Sequence, residues 1–108
     1  MPKFVTIGYG DQAGYDRTDA SVRATAHEHD ERLLAAGALM GIAGHPVQVR
    51  NHDAAGVATT DGPFLRSDLP LAGFAIIDAA TIEDVITLVS KTPCAVAHGL
   101  VEVWPLDV

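Results

Sequence analysis

Gly73-Phe74-Ala75-Ile76-Ile77-Asp78-Ala79, followed closely by Thr81-Ile82-Glu83-Asp84, is the stretch on which the fold turns. The first run is almost continuously apolar over a strand's length, which predicts a β-strand with an apolar side chain on each face. The second offers a hydroxyl cap with an acid at the third helical position, much like a capping box, so a helix begins there. Ile82, Val85, Ile86 and Val89 give that helix a buried stripe. Lys91 suits the negative end of its dipole, Pro93 stops any continuation, and Gly99 to Pro105 supplies a last strand with Val101 and Val103 in phase.

Working back toward the N-terminus, the same grammar appears a first time. Phe4 to Tyr9 alternates with a period near two and carries Val5 and Ile7, an opening strand that Gly8-Tyr9-Gly10-Asp11 ends in a loop. From Asp19 to Ala36 the period becomes helical, with Val22, Ala26, His29, Leu33 and Ala36 on one narrow face. Thr18 or Asp19 can cap its start and Gly37 can take the left-handed position at its end. Leu39 to Ala43 is short and apolar, and Val47, Val49 and Val57 to Thr60 read as hairpin arms around Asn51-His52-Asp53. The order is strand, helix, strand, hairpin, strand, helix, strand. One α+β domain over residues 1–108 is expected, a ferredoxin-like βαββαβ plan with an inserted hairpin and both helices on one sheet face.

That plan leaves an apolar surface uncovered. Phe74 and Ile76 lie on one face of their strand and Ala75 and Ile77 on the other, while two helices cover only one side of a sheet. Another subunit's sheet is the economical cover for so short a chain, so a homodimer through the open sheet face is expected.

Composition bounds the function classes. With 108 residues, 48% apolar and 19% charged, the chain supports one core and has no apolar run of the roughly 20 residues that span a bilayer. The formal charge of −7 disfavours phosphate backbones and anionic membranes, which call for a positive patch. The N-terminal stretch lacks the layout of a signal peptide, and the single cysteine, Cys94, fits a reducing compartment, so a cytoplasmic protein is expected. No motif calls for a cofactor: Gly8-Tyr9-Gly10 lacks the third glycine and the lysine of a phosphate loop, and no nucleophile elbow is present.

His29 is the unusual residue of the first helix, an imidazole at the centre of an apolar face. It is either a core histidine satisfied by a backbone carbonyl or a hydroxyl, or a pocket acid or base titrating near neutrality. His27-Glu28-His29-Asp30 looks like a metal cluster as text, but residues two apart diverge on a helix, so no metal site is expected; His27 falls off the stripe, toward solvent. Thr60-Asp61-Gly62-Pro63-Phe64 is a turn with a fixed φ and an aromatic expected to plug the core. Asp61 there is the carboxylate expected to work with His29, and Phe64, Arg66 and Asp68 the residues expected to rim a ligand cavity.

Several of these pieces together resemble the YCII-related family, in its branch named for the D-G-P-F sequence. The matching stretches are Tyr9-Gly10-Asp11, Leu33-Leu34-Ala35-Ala36-Gly37-Ala38-Leu39, Thr60-Asp61-Gly62-Pro63-Phe64, Leu71 to Asp78, Glu83-Asp84 and Gly99 to Leu106. The resemblance implies a ferredoxin-like fold, a dimeric α/β-barrel assembly and a cleft between helices and sheet. Some similar proteins are proposed enzymes with a histidine and aspartate pair in that cleft, a few of them dehydrochlorinases of aromatic degradation. Members of the D-G-P-F branch are often encoded beside extracytoplasmic-function sigma factors. The family's helix histidine corresponds to Ala26 here, and its aspartate falls in Lys91-Thr92-Pro93, where there is no acid. That dyad does not carry over, and His29 with Asp61 is the expected replacement. Two functions are thus expected as alternatives: a small-molecule-binding protein with or without catalysis, and a regulatory or interaction module.

Overall fold

A computed structural model describes residues 1–108. The opening strand β1 spans Lys3–Tyr9, a single short turn α1 spans Gln12–Asp16, and the long helix α2 spans Ala20–Ala35. Strand β2, Leu39–Ile42, is followed by the hairpin strands β3, Val47–Arg50, and β4, Ala58–Asp61. Then come β5, Leu71–Asp78, helix α3, Ile82–Val89, the one-turn helix α4, Pro93–Val96, and β6, Leu100–Leu106. The four-stranded sheet has the order β2-β5-β1-β6 with every pairing antiparallel, and β3 and β4 form a separate two-stranded ribbon. With the ribbon set aside, this is the strand order of the ferredoxin-like plan.

Local chemistry starts α3 as expected, the Thr81 hydroxyl accepting the Asp84 N–H at 3.2 Å, whereas the helix ends at Val89, before Lys91, with no basic residue in its last turn. The start of α2 differs. Asp19 occupies the cap position without a side-chain hydrogen bond, and Thr18, the other candidate, turns back so that its hydroxyl donates to the Gly14 carbonyl of α1 at 2.8 Å. Two short helices have no periodic signal in the sequence. Asp11 caps α1 by accepting the Gly14 N–H at 2.8 Å, and Pro93, besides halting α3, opens α4 from the first helical turn, where its missing N–H costs nothing.

The core sits at one end of the sheet. Phe4, Ala75, Ile77, Ala79, Val85 and Val89 bury one another, with Val85 fully enclosed. Helix α3 is rotated toward α2, so that Leu88 is half-buried and Ile86, expected in the stripe, is 52% exposed. On α2 the buried residues are Ala26, His29 and Leu33, whereas Val22 and Ala36 lie toward the helix ends in solvent.

The opposite face of the sheet is bare. The register places Val5 beside Ile76 and Trp104, and Ile7 beside Phe74, all pointing away from the helices. Phe74 is 46% exposed and Trp104 55%. Tyr9, buried at the end of the same face, has its phenol pushed above the usual value by the neighbouring Glu102 carboxylate and by burial. The ribbon is exposed along both strands, and the molecule measures 52 × 36 × 20 Å. No helix is long and apolar enough to cross a membrane.

Candidate functional site

The β1–β5 ladder shapes the helix-covered face. Phe4 pairs with Ile77, Thr6 with Ala75, and Gly8 with Gly73, so side-chain bulk falls step by step along the strands. Where it reaches zero, a cleft of about 700 Å³ opens between the sheet and helices α1, α2 and α4. Its floor includes Gly8, Gly73, Ala75 and Val101; Met40 and Leu34 stand at one side and Cys94 and Ala97 at the other, with Ile42 and Pro70 at its margin. Both floor glycines are required by close approach. A Cβ on Gly8 would lie 2.9 Å from the Cys94 sulfur, and one on Gly73 would lie 2.5 Å from the Gly41 carbonyl oxygen.

Polar chemistry enters this cleft from one flank. His27 and Asp30 stand three residues apart on α2, hence on neighbouring turns of one face, and Tyr15 reaches them from α1. The Tyr15 hydroxyl and His27 Nε2 are 2.9 Å apart. The phenol donates when Nε2 is bare and accepts when Nε2 carries a hydrogen, so the pair can hold a proton in either direction. The Arg23 guanidinium lies 4.9 Å above the Tyr15 ring and the His27 ring meets that ring edge-on, which fixes the phenol's direction.

Asp30 is the perturbed acid. Its Oδ1 is enclosed and has no hydrogen-bond donor, and burial pushes its carboxyl above the usual carboxylate range, opposed by the adjacent His27 and His29 rings. Burial likewise pushes the Cys94 thiol up, and the charge of Asp30 adds to it. Cys94 is therefore a protonated, weakly nucleophilic thiol at ordinary pH.

The residues singled out from sequence lie elsewhere. His29, 8% exposed, turns toward α3 and its Nε2–H donates to the Leu88 carbonyl at 2.6 Å, the satisfied core arrangement that was one of its two readings. It borders a smaller groove between α2 and the α3–α4 region, with Arg32 and Lys91. Asp61 ends β4 and accepts a hydrogen bond from His45 Nε2–H at 2.9 Å on the exposed ribbon. Neither groove contains both His29 and Asp61. Phe64, Arg66 and Asp68 are exposed in the segment leading to β5, and Phe64 does not plug the core. His27 and Asp30 were legible only as a pair at helical spacing, and nothing local to Tyr15 announces that α1 brings it to them.

A model of the YCII-related domain matches residues 2–107, almost the whole chain. No curated protein matches it. The chain belongs to the YCII-related family.

Proposed function

Within that family, and in its D-G-P-F branch, we propose that the chain is a small-molecule-binding protein whose site is the cleft over Gly8 and Gly73. The observation that carries the reading is the enclosed, unpartnered Oδ1 of the half-buried Asp30, on the same helix face as a His27 already held by Tyr15. A buried polar atom without a partner destabilises a fold by about 1–3 kcal/mol, and such groups gather where a ligand or a proton transfer employs them. In this reading His27 accepts or donates the proton at Nε2, Tyr15 sets its direction, and Asp30 supplies the charge opposite a bound molecule. His29 acts as a positioning residue that ties α2 to α3 and so holds His27 and Asp30 over the floor.

A thermal-shift screen of fragments against wild type, His27→Ala and His29→Ala tests it. A fragment present at a hundredfold excess over its Kd stabilises the wild type by about 2.7 kcal/mol. The reading requires that stabilisation to collapse in His27→Ala and to persist in His29→Ala, whose own stability falls. Hits indifferent to His27 overturn it.

The second part of the reading is a homodimer through the bare sheet face. Val5, Ile7, Phe74, Ile76 and Trp104 form a contiguous apolar surface of the kind that soluble monomers avoid. Sedimentation is expected to give a dimer at micromolar concentration and a monomer for Trp104→Glu; a wild-type monomer excludes it.

A separate reading as a regulatory or interaction module, linked to sigma-factor signalling, draws on the ribbon. Asp61, Phe64, Arg66 and Asp68 would then meet a protein partner, with Phe64, 77% exposed, as the anchor.

A further inference from the structure

The polar inventory of the cleft is one-sided. Its ionisable groups are Asp11, Asp30, His27, Tyr15 and Cys94, and no lysine or arginine is among the residues that line it. Arg23 is not among the lining residues, and its guanidinium lies 4.9 Å above the Tyr15 ring. Asp11 is committed to the cap of α1 through the Gly14 N–H, which leaves Asp30 as the anion with no donor of its own. Apart from the uncharged Gln12 and Thr92, the remaining walls are largely apolar, with Leu34, Met40, Pro93, Ala97 and Val101 around a floor that includes Gly8 and Gly73.

A carboxylate or phosphate entering this space would meet two acids and no fixed cation, and would lose its hydration without compensation. A neutral molecule would lose less. A cation with N–H donors gains most, since it pairs with Asp30 in a partly desolvated site where charge-assisted hydrogen bonds are strongest, and the chain's net charge of −7 draws it in. We propose that the cleft selects an apolar cation, an amine or amidine carried on a flat hydrocarbon body, with Asp30 as its counter-ion. The proposal rests on the cleft being the ligand site and adds the charge class of its occupant.

Three compounds of nearly one shape separate the terms: benzamidinium, benzamide and benzoate. Binding is measured by calorimetry on the full chain at low salt, and the site is located from amide shifts in two-dimensional NMR. Benzamidinium is expected to bind about tenfold or more tightly than benzamide, benzoate not to bind, and the shifts to centre on α1, Asp30 and Gly73. In Asp30→Asn the preference for benzamidinium over benzamide is expected to disappear. Should that variant fail to fold, wild-type affinity for benzamidinium must still fall with added salt while that for benzamide does not. Equal binding of all three compounds within the cleft, or tighter binding of benzoate, overturns the charge selection and leaves the cleft as the site. Binding of none, or shifts confined to another surface, overturns both.

Discussion

The two ends of the helix-covered sheet face are built from one ladder and do opposite things. At one end Phe4 faces Ile77 across β1 and β5, and Val85 and Val89 close over them until no space remains. At the other, Gly8 faces Gly73 and about 700 Å³ is left open. The ladder runs regularly from Phe4 to Gly8, and its register shifts between Gly8 and Tyr9 at the open end. The glycines let the Cys94 sulfur and the Gly41 backbone come close to the open end, and the cavity lies beside them, under α1, α2 and α4, where no large side chain fills the sheet face.

Substitutions that move filling from one end to the other put this contrast at risk. The largest effect is expected at the packed end, where Phe4→Ala should cost about 3–5 kcal/mol and lower Tm by well over 10 °C, followed by calorimetry. A loss of under 1 kcal/mol would mean that the packed end does not carry the fold. Adding a single methyl at the open end should cost about 1–3 kcal/mol in Gly8→Ala, since the new Cβ meets the Cys94 sulfur. In the double variant Gly8→Ala/Cys94→Ala that penalty should shrink. A strictly additive double variant would show that strand strain, and not the thiol, resists filling.

The smallest effect is electrostatic. The folded-state pKa of Asp30 is raised above its unfolded value, so the native state binds the proton more tightly and loses stability as pH climbs from the unfolded carboxyl pKa through the folded one. Asp30→Asn should accordingly be the more stable protein at neutral pH, with an advantage that vanishes below about pH 4. Denaturant midpoints at the two pH values check this, and an advantage that grows on acidification contradicts it.

What could be read in advance divides along the same line. The filled end announces itself through period: Phe4 to Tyr9, the Thr81 cap, and Val85 with Val89 are patterns that one element carries by itself. The cleft depends on placements that no single element encodes. Gly8 and Gly73 gain meaning only as partners in register, Tyr15 only through a five-residue helix, and Pro93, a stop signal for α3, opens α4 as well. His29 drew attention because it interrupts an apolar stripe, yet its imidazole is spent on the Leu88 carbonyl. His27 is exposed, as its place off the stripe predicts, and what the sequence does not show is that Tyr15 of α1 reaches it at the margin of the cleft. The open-face prediction of Phe74 and Ile76 succeeded for the reason the cleft failed: alternation along one strand suffices to find it.

The β3–β4 ribbon has a different kind of consequence. It leaves the sheet after β2 and returns at β5, and those strands are already antiparallel neighbours, joined beyond their last ladder pair by Ala43 N–H to the Ala72 carbonyl at 2.8 Å. Residues 44–69 thus elaborate what a tight turn would do, and none of them is buried. Heritable changes in length and composition there are uncoupled from the geometry of the sheet, because lengthening a surface loop costs only slowly increasing closure entropy. The ribbon is the part of this molecule free to diverge, and lineages sharing the same cleft can acquire different outer surfaces through it.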